Sequence, residues 1–82
     1  SRAYYLRLFK QYVGTTPHNY QLSLRITKAR EYLEISNMSI HEIGMELGFK
    51  DDATFSYRFK MMTNTSPLKY RQEAITHQQT QK

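Results

Sequence analysis

The chain has 82 residues, with 3 glycines, 2 prolines and no cysteine, so it is one small domain, or two very small units on a shared core, without disulfides or thiolate metal sites. Its net charge of +5 favours a polyanionic partner such as nucleic acid without requiring one. No apolar run approaches the roughly 20 residues of a membrane span, and the opening Ser1-Arg2-Ala3-Tyr4-Tyr5 lacks the basic-then-apolar pattern of a secretion signal, so the expectation is a cytoplasmic protein with no membrane partner.

Residues 2–12 place Tyr5, Leu8, Phe9 and Tyr12 at i, i+3, i+4 and i+7, the inward face of a first helix. Gly14 ends it as a left-handed C-cap. Thr16-Pro17 opens a longer helix as N-cap and first residue. It runs to about Glu34 with Leu22, Ile26, Ala29 and Leu33 on one face, and Ser36-Asn37 breaks it. Ser39-Ile40-His41-Glu42 reads as a capping box. The short helix it opens turns Ile40, Ile43 and Leu47 inward, and Gly44 lets another helix approach closely. Gly48 ends that helix and Phe49 anchors the turn. Asp51 caps the next helix, where Phe55, Phe59 and Met62 face inward, and Asn64 provides a left-handed exit. Ser66-Pro67 caps a last helix to about Ala74, leaving a polar, Gln-rich tail at 75–82 that is expected to be disordered. Nothing alternates with period 2, so the chain is read as all-α, with six helices and no sheet.

The sequence contains a copy of itself at an offset of 50: Phe9, Lys10, Thr15, Pro17 and Tyr20 recur as Phe59, Lys60, Thr65, Pro67 and Tyr70. Thr16 and Ser66 are equivalent caps, Gly14 and Asn64 equivalent exits. The second copy follows a helix and a tight turn at Gly48, the order of a helix-turn-helix whose second helix enters the major groove. The first copy has only its second helix, and its partner is expected before Ser1. Repeat and periodicity alone fit DNA binding and a plain duplicated helical hairpin equally well.

These residues resemble the C-terminal domain of the AraC/XylS family of bacterial regulators. The resemblance covers nearly everything from Ser1 to Gln72. It rests on Ser1-x-x-Tyr-Tyr-Leu-Arg-Leu-Phe-Lys10, Gly14-Thr-Thr-Pro17-x-x-Tyr20 and Arg25-Ile-x-x-Ala-Arg30-x-x-Leu33, then on Ser39-Ile-x-x-Ile43-x-x-x-Leu47-Gly48-Phe49, Phe55-x-x-x-Phe59-Lys60 and Ser66-Pro67-x-x-Tyr70-Arg71. No single piece is decisive, but their order and spacing together are highly specific. The resemblance implies seven helices in two homeodomain-like helix-turn-helix units joined by a linker helix. Residues 1–35 would be the second half of an incomplete first unit plus the linker, 36–74 the second unit with its closing helix, and 75–82 the tail. It also implies sequence-specific double-stranded DNA binding by a transcription regulator. Recognition helices at about 2–12 and 52–62 would lie in successive major-groove segments, on the order of 34 Å apart. An effector-sensing domain would lie elsewhere in the parent protein.

On the first recognition helix the face opposite the core offers Ala3, Leu6 and Arg7 to bases, and Arg2 and Lys10 to phosphates. Arg7 matches a family position that often reads bases, and an Arg there can bond guanine O6 and N7 bidentately. On the second, Asp52, Ala53, Thr54 and Tyr57 are base-contact candidates, and Ser56, Arg58 and Lys60 phosphate-contact candidates. Ser39 joins the phosphate set as the cap of a helix start. Here the chain departs from the family, in which many members carry Arg at the Tyr57 position and a small apolar residue at Arg58. Asp52 also brings negative charge to the groove, useful only if it accepts from a cytosine amine. The second unit is therefore expected to hold backbone more than to read bases. Arg25 and Arg30 are read as structural ties or solvated charges.

His18, His41 and His77 have no partners at zinc-ligand spacing. No phosphate-binding glycine loop or nucleophile–base constellation is present, so no metal, cofactor or enzymatic activity is expected. The competing reading is a helical interaction module without DNA contact, including a homodimer formed through the apolar face of 2–12. Single-stranded RNA fits less well, because most of the aromatics occupy expected core positions. Basic residues Arg7, Lys10, Arg58 and Lys60 on one side of the fold would favour DNA, and scattered ones the interaction module.

Overall fold

The computed structural model describes residues 1–80, with side chains to 78. Its helices are α1 (Arg2–Val13), α2 (Pro17–Ile35), α3 (Ile40–Glu46), α4 (Asp52–Thr63) and α5 (Pro67–Thr80), with no strand among the described residues. That is five helices, not the six expected, because five capping signals each open one helix and no further start is used. The Ser1, Thr16, Asp51 and Ser66 side chains accept from the amides of Tyr4, Asn19, Thr54 and Lys69 at 2.8–3.2 Å. At α3 both halves of the capping box form, Ser39 Oγ accepting from the Glu42 amide at 3.0 Å and Glu42 Oε1 from the Ser39 amide at 3.1 Å. Helix α5 continues through Thr80, past the end near Ala74 expected from the sequence. Nothing after Pro67 breaks a helix, and Gln is a good helix former. Gln81 and Lys82 lie outside the described residues.

The long helix α2 is the axis, packing against α1, α3, α4 and α5. Its stripe Leu22, Ile26, Ala29 and Leu33 is buried, as expected. Over it close Ile43 from α3, Phe49 from the turn and Phe55 and Phe59 from α4, while Ile40 and Leu47 pack at the margin. Two expectations about the core fail. Helix α1 buries no residue: Leu8 and Phe9 are half-buried, but Tyr5 is 56% and Tyr12 81% exposed. A periodic apolar stripe marks a face, and the described residues provide little for that face to pack on. Met62 is also exposed, since it borders an open cleft between α4 and the start of α2 with Thr15, Asn19 and Leu22. The molecule is elongated, 52 × 28 × 18 Å with a radius of gyration of 15.2 Å, against about 12 Å for a compact domain of this length.

The 50-residue repeat is a repeat of structure. Gly14 and Asn64 take left-handed φ values of 91° and 65°, and each donates its amide to the lysine carbonyl four residues earlier, Lys10 or Lys60, at 2.8 Å. Phe9 meets Tyr20 edge-on at 5.9 Å, and Phe59 meets Tyr70 edge-on at 5.5 Å. The copies differ in what covers them. Phe55 is fully buried beneath Gly44, whereas its equivalent Tyr5 is exposed.

Candidate nucleic-acid interface

Helix α3, a tight turn and helix α4 form a helix-turn-helix. At its centre Phe49 donates its amide to the Gly44 carbonyl at 3.0 Å, and Gly48 carries the chain through φ 88°. Arg25 of α2 stacks its guanidinium 5.8 Å from the Phe49 ring centre and so ties linker to turn. At the far end Arg71 of α5 donates to the carbonyls of Leu33, Tyr32 and Ser36 at 3.1, 3.4 and 3.3 Å, satisfying the last turn of α2. Tyr70 donates its hydroxyl to Glu34 at 2.6 Å. These contacts tie the turn before α4 and the helix after it to α2.

With Phe55 and Phe59 inward, helical geometry sets Ala53, Tyr57 and Lys60 on the outward side of α4, with Ser56 on its flank and Asp52 in the first turn, three residues before Phe55. Asp52, Ala53, Tyr57 and Lys60 are exposed and Ser56 is half-buried. On α1 the positions fifty residues earlier are Arg2, Ala3, Leu6, Arg7 and Lys10, exposed except for half-buried Leu6. Two equivalent stripes are thus presented by equivalent helices. Thr54 and Arg58 sit off the α4 stripe: Arg58 borders the cleft toward α2, 5.9 Å from the Tyr57 ring centre. Of the basic quartet, Arg7 and Lys10 share the α1 stripe, Lys60 holds the matching place on α4, and Arg58 stands apart.

The electrostatics are uneven. Arg2, Arg7, Lys10 and Lys60 have no intramolecular ion pair among the described residues, whose pairs are Lys28–Glu31 and His41–Asp52. Their charge remains available to an external anion. The acids at the helix starts are engaged. Asp51 accepts from the Thr54 amide and Glu42 from the Ser39 amide, and these backbone bonds hold both carboxyls below the usual carboxylate range. The start of α3, where Ser39 was expected to meet a phosphate, therefore already carries the Glu42 carboxylate. The Asp52 carboxylate meets His41 Nδ1 at 2.7 Å. That pair escaped the sequence reading, because an 11-residue separation across a turn leaves no periodic trace. The described residues contain no group of metal-ligating side chains and no helix long and apolar enough to cross a membrane.

Comparison with known proteins places these features in a wider set. A helix-turn-helix domain family model matches residues 1–73. The chain is similar to the raffinose operon transcriptional regulatory protein RafR of Pediococcus pentosaceus, 39% identical over 71 residues, covering 87% of the chain and 26% of RafR. It is 42% identical over 66 residues to the transcriptional activator RhaS of Salmonella arizonae, covering 80% of the chain and 24% of RhaS. It therefore spans about a quarter of the length of these relatives. Among solved structures, an AraC-type transcriptional regulator from Chromobacterium violaceum aligns with TM-score 0.83 and 39% identity over 90% of the chain and 66% of its own. The DNA-binding domain of the global transcriptional factor AdpA, solved with a target DNA, aligns with TM-score 0.87 and 26% identity over 94% of the chain and 69% of its own.

Proposed function

The chain belongs to the AraC/XylS family of helix-turn-helix domains, and from that premise we propose that it binds double-stranded DNA sequence-specifically as the DNA-reading part of a transcription regulator. The observation that carries this reading is the pair of equivalent exposed stripes on α1 and α4, with Arg2, Arg7, Lys10 and Lys60 unpaired. A 52 Å molecule is long enough to set two recognition helices one helical turn of DNA apart, on the order of 34 Å.

In this reading residues 1–35 supply the recognition helix of the first unit and the linker, and residues 36–74 the second unit, each homeodomain-like. Arg7 reads guanine, with Ala3 and Leu6 beside it, while Arg2 and Lys10 meet phosphates. On α4 Asp52, Ala53 and Tyr57 face bases and Lys60 and Ser56 the backbone, with Thr54 and Arg58 reaching the strand from the side nearer α2. Ser39 offers its hydroxyl rather than a free helix end. The first unit is incomplete within these residues: Tyr5 lacks the cover that α3 gives Phe55, and a helix equivalent to α3 would fall before Ser1. An effector-sensing domain would lie elsewhere in the parent protein, since the chain covers only 26% of the length of RafR. The exposed Tyr5 and Tyr12 favour a second reading, in which α1 pairs with another copy.

The test is fluorescence anisotropy with random-sequence duplex at low and moderate salt, for the parent chain, Arg7→Ala, and Arg58→Ala with Lys60→Ala. Binding should fall steeply with salt, and each lost phosphate contact should flatten the slope by about one. No binding at low salt, by this chain or by a longer one that includes the preceding helix, would refute DNA binding and leave the interaction module.

A further inference from the structure

Asp52 is the first residue of α4, and nothing in the capping of that helix uses it, since Asp51 already receives the Thr54 amide. Its one side-chain bond in the described residues is to His41 of α3, Nδ1 to Oδ1 at 2.7 Å. For a carboxylate to accept there, Nδ1 must carry the hydrogen. That bond fixes the carboxyl rotamer and draws charge from one oxygen while Oδ2 stays an open acceptor. The two side chains are 63% and 61% exposed, and an ion pair that wet adds little to folding. What the bond fixes faces outward, at the start of the helix proposed to enter the groove.

Resting on the DNA-binding reading above, we propose that Asp52 selects a cytosine in the half-site of the second unit, and that His41 is the positioning residue that aims it. In the major groove cytosine presents an amine donor with no acceptor beside it. Adenine pairs its amine with N7, whose lone pair repels a carboxylate, and guanine and thymine offer acceptors. The repeat sharpens the assignment: the residue equivalent to Asp52 is Arg2. Arg2 is placed on a phosphate, which carries no sequence information, so the cytosine preference has no counterpart in the first half-site and the operator is not a simple repeat.

The experiment selects duplexes from a randomised library with the parent chain. Anisotropy competition then compares the selected duplex with versions altered one base pair at a time. At one position under α4 the parent should prefer cytosine by about tenfold. Asp52→Ala and His41→Ala should each reduce that to under about threefold, leaving the preferences under α1 intact. His41→Asn should keep it, since the Asn amide nitrogen takes the place of Nδ1. Circular-dichroism melting should show all variants folded like the parent. Full preference in His41→Ala or Asp52→Ala, loss in His41→Asn, or no cytosine position under α4 overturns the assignment while DNA binding stands. If neither the parent nor a longer chain that includes the preceding helix binds duplex, both readings are overturned.

Discussion

Gly44 and Phe55 meet so closely across the α3–α4 turn that a methyl group between them would force the ring to shift by a few tenths of an ångström. A Cβ built on Gly44 would lie 3.0 Å from Cδ2 of Phe55 and 3.2 Å from Cγ. The Phe55 ring cannot easily retreat, because Phe49 lies 5.1 Å and Phe59 6.0 Å away, centre to centre. Overpacking of this kind costs about 1–3 kcal/mol, while replacing a helical glycine by alanine returns up to about 1 kcal/mol. Gly44→Ala should therefore be mildly destabilising, and Gly44→Val should lose about 2–3 kcal/mol. Urea unfolding checks this through a lower midpoint at unchanged slope.

Stability should be divided unequally between the two copies. Helix α4 places two fully buried phenylalanines in the core, whereas α1 buries none. Regions with few buried contacts open at lower free energy than the core. Amides in the middle of α1, such as those of Phe9 and Lys10, should exchange hydrogen at least about tenfold faster than the equivalent amides of Phe59 and Lys60. Exchange followed by NMR compares the equivalent positions directly, and equal protection in both copies would contradict the asymmetry.

That asymmetry also shows what the sequence makes legible. Caps and exits are local chemistry: Thr16, Ser39, Asp51 and Ser66, and Gly14, Gly48 and Asn64, act where their residue types say they should. The exposed side of α4 could be read because two inward phenylalanines fix which side is covered. Burial of Tyr5 and Tyr12 could not, since periodicity identifies a face without revealing whether anything covers it. The position of Arg58 toward α2 and the bond between His41 and Asp52 depend on how two helices cross, which no local pattern encodes. The helical continuation to Thr80 was obscured by polarity, although polar residues other than Gly and Pro tolerate helix well.

Tyr70 makes stability sensitive to alkali. Burial first, and then the bond to Glu34, push its hydroxyl up to about 12 from an ordinary 10. The folded state holds this proton more tightly than the unfolded chain does. The contribution is thus fully present below pH 10 and is lost as pH rises from 10 to 12. Chemical denaturation across that window should show a decline that Tyr70→Phe reduces, with one late-titrating tyrosine missing from the ultraviolet titration of the variant.

Arg71 should be irreplaceable by lysine. Its guanidinium spans the three carbonyls of Leu33, Tyr32 and Ser36, a fork that a point-charge ammonium cannot reproduce. Arg71→Ala removes the side-chain donor to the Leu33 and Ser36 carbonyls, while Tyr32 O keeps the Ser36 amide and hydroxyl, and should cost about 1–3 kcal/mol. Arg71→Lys should recover only part of this through its favourable charge at the end of α2. A thermal shift for lysine equal to that of the parent would mean that charge alone matters.

The repeat supplies a gain-of-function prediction for the proposed interface. Tyr57 occupies on α4 the place that Arg7 holds on α1, and both are exposed. The stripes otherwise share Ala at 3 and 53 and Lys at 10 and 60. Tyr57→Arg should therefore give the second unit the guanine contact assigned to the first. Discrimination for guanine at one position under α4 should rise by about tenfold, and the added cation should steepen the salt dependence if it also meets phosphate. Arg58 stays the neighbour of the new side chain and repels it, so the gain should be larger in Tyr57→Arg combined with Arg58→Ala. Site selection with both variants decides the point: a new guanine in the second half-site establishes that α4 lies in the groove in the register of α1, and an unchanged site shows that it does not.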